Sequence, residues 1–198
     1  PYSSFMVGSV LYVISETENR MYLVNTSNNK FSRSIKLDNG PTMALTYNGK
    51  IYITNSEDRT VSVYYNTGSY KTLTVVAAGP IGMVGIGSRI YVASFDDKLT
   101  IVDSNGDSRL DDILFREGGT PTRYMTVTGN RIFLHHPLSN SVSVFTTSGN
   151  KILKNFTVGK APQSSVLLDK SLYVINRDSN DVTVVNTDTY ATSKTIPI

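Results

Sequence analysis

Residues Lys50 to Val63 read K-I-Y-I-T-N-S-E-D-R-T-V-S-V, and this stretch predicts two short β-strands joined by a polar loop. Ile51 and Ile53 in its first half, and Val61 and Val63 in its second, alternate with other residues at the period of two that strands show. The segment N-S-E-D-R-T between them has the composition of a loop. A β-hairpin is therefore the smallest unit that the sequence predicts.

The first half of this stretch recurs four more times along the chain. The relatives are V-L-Y-V-I-S at 10–15, R-I-Y-V-A-S at 89–94, R-I-F-L-H-H at 131–136 and S-L-Y-V-I-N at 171–176. Their aromatic residues follow one another at intervals of 40, 39, 42 and 40 positions: Tyr12, Tyr52, Tyr91, Phe133 and Tyr173. Prolines precede these aromatics by 11 or 12 positions: Pro1, Pro41, Pro80, Pro121 and Pro162. Two columns in one register define a repeat array, and the regular aromatic position predicts packing between repeats.

Each repeat divides into four strand-like runs separated by Gly, Asn, Asp and Ser. In the second repeat the runs are 42–47, 51–55, 61–65 and 71–76, which we name the first to fourth strands of a blade. Four antiparallel strands in about 40 residues are typical of a β-propeller blade. We predict one all-β domain, a β-propeller of five four-stranded blades at approximately 1–40, 41–79, 80–120, 121–161 and 162–198.

The repeat also resembles the YVTN-type β-propeller repeat. The resemblance covers essentially the whole chain and is closest at 51–63 and at 172–186, where L-Y-V-I-N-R-D-S-N-D-V-T-V-V-N nearly spells the family consensus. It is loosest in the fourth repeat, which carries Phe133, His135 and His136. The resemblance implies a surface-layer-associated or otherwise exported protein. Propellers of this kind often have seven blades, so a segment of a larger, seven-bladed propeller is the alternative to the closed five-bladed ring that we favour.

Bulk composition narrows the classes of function. The chain has no cysteine, which excludes disulfides, thiolate nucleophiles and Cys-based zinc sites. Its net charge is +3, but lysine and arginine are scattered, whereas a nucleic-acid surface needs a concentrated basic stripe. No apolar run approaches the roughly 20 residues of a membrane span. A chain that begins at Pro1 is interpreted as processed, which favours an extracellular or cell-surface protein.

The loops between second and third strands are the predicted binding surface for a protein, a glycan or further copies of the chain. In a propeller they share one face with the Gly-Pro linkers between blades, and loops on a rigid scaffold vary without disturbing the core. The candidate residues are Glu16, Arg20, Glu57, Asp58, Arg59, Asp96, Asp97, His136, Arg177, Asp178 and Asp181. The opposite face is more basic and could steer a charged partner. The alternative interpretation is that turns simply collect charged residues.

An enzyme is the second hypothesis, and we assign no catalytic residue. A polysaccharide hydrolase or lyase would use carboxylates near the central channel, such as Asp96 and Asp97 with Glu57 or Asp58. Glycoside hydrolysis needs two such groups roughly 5 to 10 Å apart. His135 and His136 are adjacent on a strand, so they point to opposite faces and cannot easily share a metal. We expect one of them near a blade interface and the other near solvent.

The run D-S-N-G-D-S-R-L-D-D at 103–112 is the one metal-like segment. Its oxygen-bearing residues resemble the start of a calcium loop: Asp103, Asn105, Asp107 and Asp111. The pattern then fails, because Ser108 and Leu114 stand where glycine and a bidentate carboxylate belong. We favour a plain hairpin turn at Asn105-Gly106, with calcium as the alternative, and predict no other cofactor.

Two glycosylation sequons are present, at Asn25 and Asn155. Both fall on outer strands of a blade or their turns, where a glycan could be accommodated.

Overall fold

The computed structural model describes residues 2–65, 69–74, 78–115 and 124–198, and these residues form β-strands joined by turns, without a helix. The strands form five four-stranded antiparallel sheets, and within each sheet strands that are consecutive in sequence are hydrogen-bonded to each other. This confirms the predicted four strands per repeat. Pro1, Pro121 and the linker at 119–121 lie outside the described residues. The choice between five blades and a segment of seven stays a prediction, which the mass of the natural mature protein tests.

The chain divides into two compact units, one of residues 1–96 and 100–112 and the other of residues 97–99 and 113–198. The first three sheets are built mainly from the first unit. Their strands are β1 (Ser3–Val7), β2 (Val10–Ser15), β3 (Arg20–Asn25) and β4 (Lys30–Lys36), then β5 (Pro41–Tyr47), β6 (Lys50–Asn55), β7 (Thr60–Tyr65) and β8 (Tyr70–Thr74), then β9 (Pro80–Ile86), β10 (Arg89–Ser94), β11 (Lys98–Asp103) and β12 (Ser108–Leu114).

The second unit contains the fourth and fifth sheets. Their strands are β13 (Met125–Thr128), β14 (Arg131–His136), β15 (Ser141–Thr146) and β16 (Lys151–Thr157), then β17 (Pro162–Leu168), β18 (Ser171–Asn176), β19 (Asp181–Asn186) and β20 (Thr192–Pro197). Among the residues that the structure describes, no helix is long and apolar enough to cross a membrane.

Hairpin turns follow from the local sequence. Asn48 and Gly49 connect β5 to β6 with φ angles of 48° and 72°, the double left-handed geometry of a two-residue type I′ turn. Asparagine and glycine tolerate this region better than other residues do, which is why Asn-Gly marks hairpins so reliably.

The hydrophobic core of the first unit lies between its sheets. Ile51, Ile53 and Tyr64 of the second blade pack with Ile14 and other apolar residues of the first blade, and Tyr12 lies against the same cluster. On its other face the second blade packs into the third, with Tyr52 fully buried in the shared cluster of apolar side chains. The repeat aromatics Tyr12 and Tyr52 therefore pack between blades, as predicted.

The second unit repeats this arrangement. Phe133, Val142 and Val144 of the fourth blade form one buried cluster with apolar residues of the fifth. A four-stranded sheet has two apolar faces, and stacking on a neighbour removes one of them from water at about 25 cal/mol for each Å² of apolar surface.

Candidate functional site

The loops between second and third strands lie beside the linkers between blades. Ser56 donates its backbone N–H to the carbonyl of Gly40 at 2.7 Å, and Arg177 donates to the carbonyl of Ala161 at 3.1 Å. Phe95 donates in the same way to Gly79 at 3.1 Å. The prediction that these loops share one end of the blade with the linkers is therefore confirmed for the second, third and fifth blades.

Gly40 shows how closely a loop and its linker pack. Its φ is +66°, and a Cβ added there would lie 2.7 Å from the Glu57 Cγ atom and 2.8 Å from the Glu57 backbone nitrogen. Both the conformation and the lack of space require glycine at this position. The backbone of the 56–59 loop is therefore fixed by its neighbour.

Asp58 is used to hold the loop in place. Its carboxylate accepts hydrogen bonds from the Asn39 backbone N–H at 2.7 Å and from the Asn39 side-chain amide at 3.0 Å. Asn19, from the equivalent loop of the first blade, donates to the Asn39 Oδ1 atom at 3.0 Å. Glu57 and Arg59 remain exposed on the outside of this network. All three charged candidates in this loop are exposed, and the carboxylate of Asp58 is already hydrogen-bonded to Asn39.

The corresponding loop of the fifth blade is organised by its own charges. Arg177 and Asp178, both exposed, form an ion pair with 2.6 Å between Nε and Oδ1. This pairing raises the pKa of Arg177 and lowers the pKa of Asp178. Asp181 accepts a hydrogen bond from the Asn176 amide at 2.6 Å. Two carboxylates predicted for binding are thus already paired within the blade.

The remaining loop-face candidates differ in accessibility. Arg20 is exposed and donates to the Ser34 hydroxyl at 2.7 Å, while Glu16 is half-buried. Asp96 and Asp97 are half-buried, and the carbonyl of Asp97 accepts the backbone N–H of Phe115 at 2.7 Å. Asp97 has a φ of +57°, so its conformation serves the turn.

The two histidines are both buried, so the prediction that one of them lies near solvent is wrong. His135 has Nδ1 2.9 Å from the Tyr124 carbonyl and Nε2 2.9 Å from the Ser165 hydroxyl. Since the carbonyl only accepts, Nδ1 carries the proton and Nε2 accepts from the hydroxyl. Burial lowers the pKa of His135 to about 4, and the neutral ring persists at physiological pH.

His136 was predicted to lie on the loop face, but it is only 1% exposed. Its Nε2 atom lies 2.8 Å from the Ser143 hydroxyl, and its ring centroid lies 5.9 Å from that of Phe115. Neighbouring residues cover both faces of β14, and this is why alternation along the strand did not bring either ring to the surface. His136 is therefore unavailable to a ligand on the loop face.

The hydrogen bond of His136 to a hydroxyl recurs in other blades, and the sequence analysis did not predict it. Asn55 donates to the Ser62 hydroxyl at 2.8 Å, and Asn176 donates to the Thr183 hydroxyl at 2.8 Å. In these three blades the last residue of the second strand meets a hydroxyl seven positions later. That constant spacing in the sequence was the signal that could have found it.

A polar network links the second blade to the third at the opposite end. Asp107 is 4% exposed, and its carboxylate accepts from Lys50 Nζ at 2.7 Å, Tyr65 at 2.7 Å and Tyr52 at 2.8 Å. Burial raises the pKa of Asp107, but the hydrogen bonds from Lys50, Tyr65 and Tyr52 outweigh it and hold that pKa below its ordinary value. Burial in turn raises the pKa of Tyr52. Such a buried ion pair orients two blades.

The metal-like run contains this same Asp107. Residues 104–107 form the turn between β11 and β12, as predicted, although the left-handed residue is Asp107 (φ 47°). Asp103 shapes the turn by accepting the backbone N–H groups of Asn105 at 3.1 Å and Gly106 at 3.0 Å. Asp111 is exposed on β12 and accepts the Asp112 N–H at 2.8 Å. In the part of the chain that the structure describes, no three His, Asp or Glu side chains gather into a metal-holding group.

Basic residues at this end also serve as contacts between blades. Lys50 donates to the Ser104 carbonyl at 2.8 Å, and Arg131 donates to the Thr187 carbonyl at 2.8 Å in the other unit. Lys170 is paired with Asp188 at 2.7 Å. Their charges are therefore partly satisfied within the chain, which reduces what they can offer to a partner.

The sequon asparagines lie on outer strands, as predicted. Asn25 ends β3 and Asn155 lies on β16, and both are half-buried. The Asn25 Oδ1 atom accepts the Ser27 N–H at 2.9 Å. Their glycosylation stays a prediction.

Comparisons with known proteins bear on the fold. No protein-family model matches the chain, and no curated protein matches it significantly. Among solved structures, selenomethionine-substituted virginiamycin B lyase from Staphylococcus aureus is similar with a TM-score of 0.85 and 14% identity, over 100% of this chain and 70% of that one. A catalytically inactive histidine-to-alanine variant of that lyase with quinupristin gives a TM-score of 0.81 and 13% identity, over 100% and 69%. At this identity the likeness shows the fold alone, and with the five four-stranded sheets it shows that the chain is an all-β protein of the β-propeller fold.

Proposed function

We propose that this chain is a non-catalytic, exported scaffold whose second-to-third-strand loops bind a protein, a glycan or further copies of the chain. One observation carries the proposal. Among the described residues, the groups with strongly perturbed pKa values, His135, Tyr52 and Tyr64, all lie in packed contacts between strands or blades. Perturbed groups that act in catalysis must instead reach a substrate.

The loops have the properties that binding needs. In the second, third and fifth blades the loop backbones are held by hydrogen bonds to the linkers, so little conformational entropy is lost when a partner docks. Exposed charges stand on these turns, and Glu57 and Arg59 are two of them in the second blade. Rim charges of this kind act mainly on association rate and specificity.

The test compares the wild-type chain with Glu57→Ser/Arg59→Ser on a glycan array and by sedimentation velocity. We expect glycan binding or self-association in the wild-type chain and its loss in the variant, with an unchanged melting temperature. Lys170→Ser/Asp188→Ser serves as the control, because it makes the same change of charge at exposed residues outside the second-to-third-strand loops. Binding that is equal in all three chains, or absent from all, would contradict the assignment to this loop.

A lyase is the second candidate, and the structural similarity to virginiamycin B lyase is the observation that favours it. In that enzyme the change of one histidine to alanine gives a catalytically inactive protein. This chain has two histidines, and both are buried and hydrogen-bonded. Mass spectrometry of quinupristin and of a panel of polysaccharides after incubation with the chain tests this candidate, and product formation would support it.

A further inference from the structure

One position of the repeat changes character in the first blade. The middle residue of the three-residue pattern in the third strand, V-S-V in the second blade, is a buried serine or threonine in four blades: Ser62, Thr100, Ser143 and Thr183. In the first blade the register places Tyr22 there, since Leu23 pairs with Tyr12 as Val63 pairs with Tyr52. A large aromatic side chain thus replaces a small structural hydroxyl.

Tyr22 forms one wall of an open cavity on the flank of this blade. The cavity has a volume of about 550 Å³, and its lining includes Tyr22, Phe31, Glu18 and Val13. The rings of Tyr22 and Phe31 have centroids 6.3 Å apart and planes inclined at 53°, so they form a corner. Phe31 is 63% exposed, an unusual position for an aromatic residue without a partner to cover it.

The corner also has an acidic side. The Tyr22 hydroxyl donates a hydrogen bond to the Glu18 carboxylate. This bond raises the pKa of Tyr22, keeps the phenol protonated and increases the electron density of its ring. The loop carries Glu16 and Glu18 against Arg20, so carboxylates outnumber the guanidinium group.

We propose that this cavity binds an alkylammonium group, with Tyr22 and Phe31 as aromatic walls and Glu18 as counter-charge. A cation within about 6 Å of a ring centroid is attracted by the negative face of the ring, and quaternary ammonium groups are recognised by such aromatic corners. The inference rests on the proposed function, because Glu18 belongs to the same set of loops.

The test is calorimetric titration with choline chloride at constant ionic strength, alongside 3,3-dimethylbutan-1-ol, the neutral molecule of nearly the same shape. We expect choline to bind about tenfold more tightly than the alcohol, the size of a partly desolvated cation–π contact. A peptide bearing one trimethyllysine distinguishes the source of the alkylammonium group. Tighter binding of the peptide than of choline would assign the group to a protein side chain, and equal binding would show that the cavity recognises the ammonium group alone. Equal binding of choline and the alcohol, or no choline binding at millimolar concentration, would overturn the proposal.

Variants locate the site. Phe31→Leu keeps an apolar surface without a ring, and Glu18→Gln removes the charge, so each should weaken choline binding about tenfold. Tyr70→Leu is the matched control, because Tyr70 is 59% exposed and also belongs to a pair of neighbouring rings, with Tyr64. If Tyr70→Leu weakens binding as much as Phe31→Leu does, the site is misplaced. The Glu57→Ser/Arg59→Ser chain should bind choline normally, and this separates failure of the loop assignment from failure of the cavity.

Discussion

His135 should make the stability of the fold depend on pH in the mildly acidic range. Burial lowers its pKa from 6.5 to about 4 in the folded chain. The hydrogen bond to the Tyr124 carbonyl opposes this shift, and the neighbouring His136 adds to it. In the unfolded chain the ring titrates near 6.5 and binds a proton that the folded chain rejects. The stabilising contribution is therefore complete above a pH of about 6.5 and is lost as the pH falls towards about 4.

The size of this loss follows from the two pKa values. A difference of one pKa unit corresponds to about 1.36 kcal/mol, so the full loss is about 3 kcal/mol, of which about 2 kcal/mol is already lost at a pH of about 5. For a chain of this length, about 2 kcal/mol lowers the melting temperature by roughly 4 to 8 °C. The effect should be visible before most carboxylates begin to titrate.

Urea unfolding of the wild-type chain and of His135→Gln between about pH 7.5 and about pH 5 measures this loss of stability. Glutamine can hydrogen-bond at this site but does not titrate, so the variant should be less stable at neutral pH yet lose about 2 kcal/mol less on acidification to about pH 5. If the stability of the variant changed with pH as steeply as that of the wild-type chain, His135 would bind no extra proton on unfolding, contrary to this prediction.

Three further predictions concern the contacts between blades and the turns. Asp107→Asn should lower the free energy of unfolding by about 3 kcal/mol in urea, because it leaves Lys50 without its buried partner, and a loss below about 0.5 kcal/mol would show that the pair contributes nothing. Gly40→Ala should lower the free energy of unfolding by at least about 2 kcal/mol, because the added Cβ is both strained and without space. Gly49 shares the left-handed conformation but has no atom within 4 Å of an added Cβ, so Gly49→Ala should lower it by about 1 kcal/mol. Equal losses in the two variants would show that the lack of space at Gly40 does not matter. Calcium at millimolar concentration should give no binding heat and no change in melting temperature, because Asp107 is paired with Lys50 and Asp103 caps its own turn; a heat of binding that Asp103→Asn abolishes would restore the calcium alternative.

Much of the fold was predictable because two sequence patterns, the repeated aromatics and the repeated prolines, give the same period. The aromatic and proline columns set the period, and Asn-Gly at 48–49 fixed one turn type. The positions of the second-to-third loops beside the linkers followed from the antiparallel order of four strands.

The individual contacts were less predictable. Lys50 and Asp107 are 57 positions apart, and nothing local marks them as partners, so Asp107 was assigned only to a hairpin turn, with calcium binding as the alternative. The histidines were misplaced because alternation along a strand tells which residues share a face, but it does not tell whether a neighbouring blade covers that face. The Asn55–Ser62 spacing was visible in the sequence, yet it acquires meaning only when the two strands are paired.

The proposed scaffold role requires that the chain bind its ligands without performing chemistry on them. The most direct measurement incubates the chain with the ligands it binds on the array, and with quinupristin, and follows their masses over time. We expect binding that Glu57→Ser/Arg59→Ser removes, with every ligand mass unchanged. A mass change that depends on the chain and disappears in His135→Gln or in a folded His136→Asn variant would contradict it.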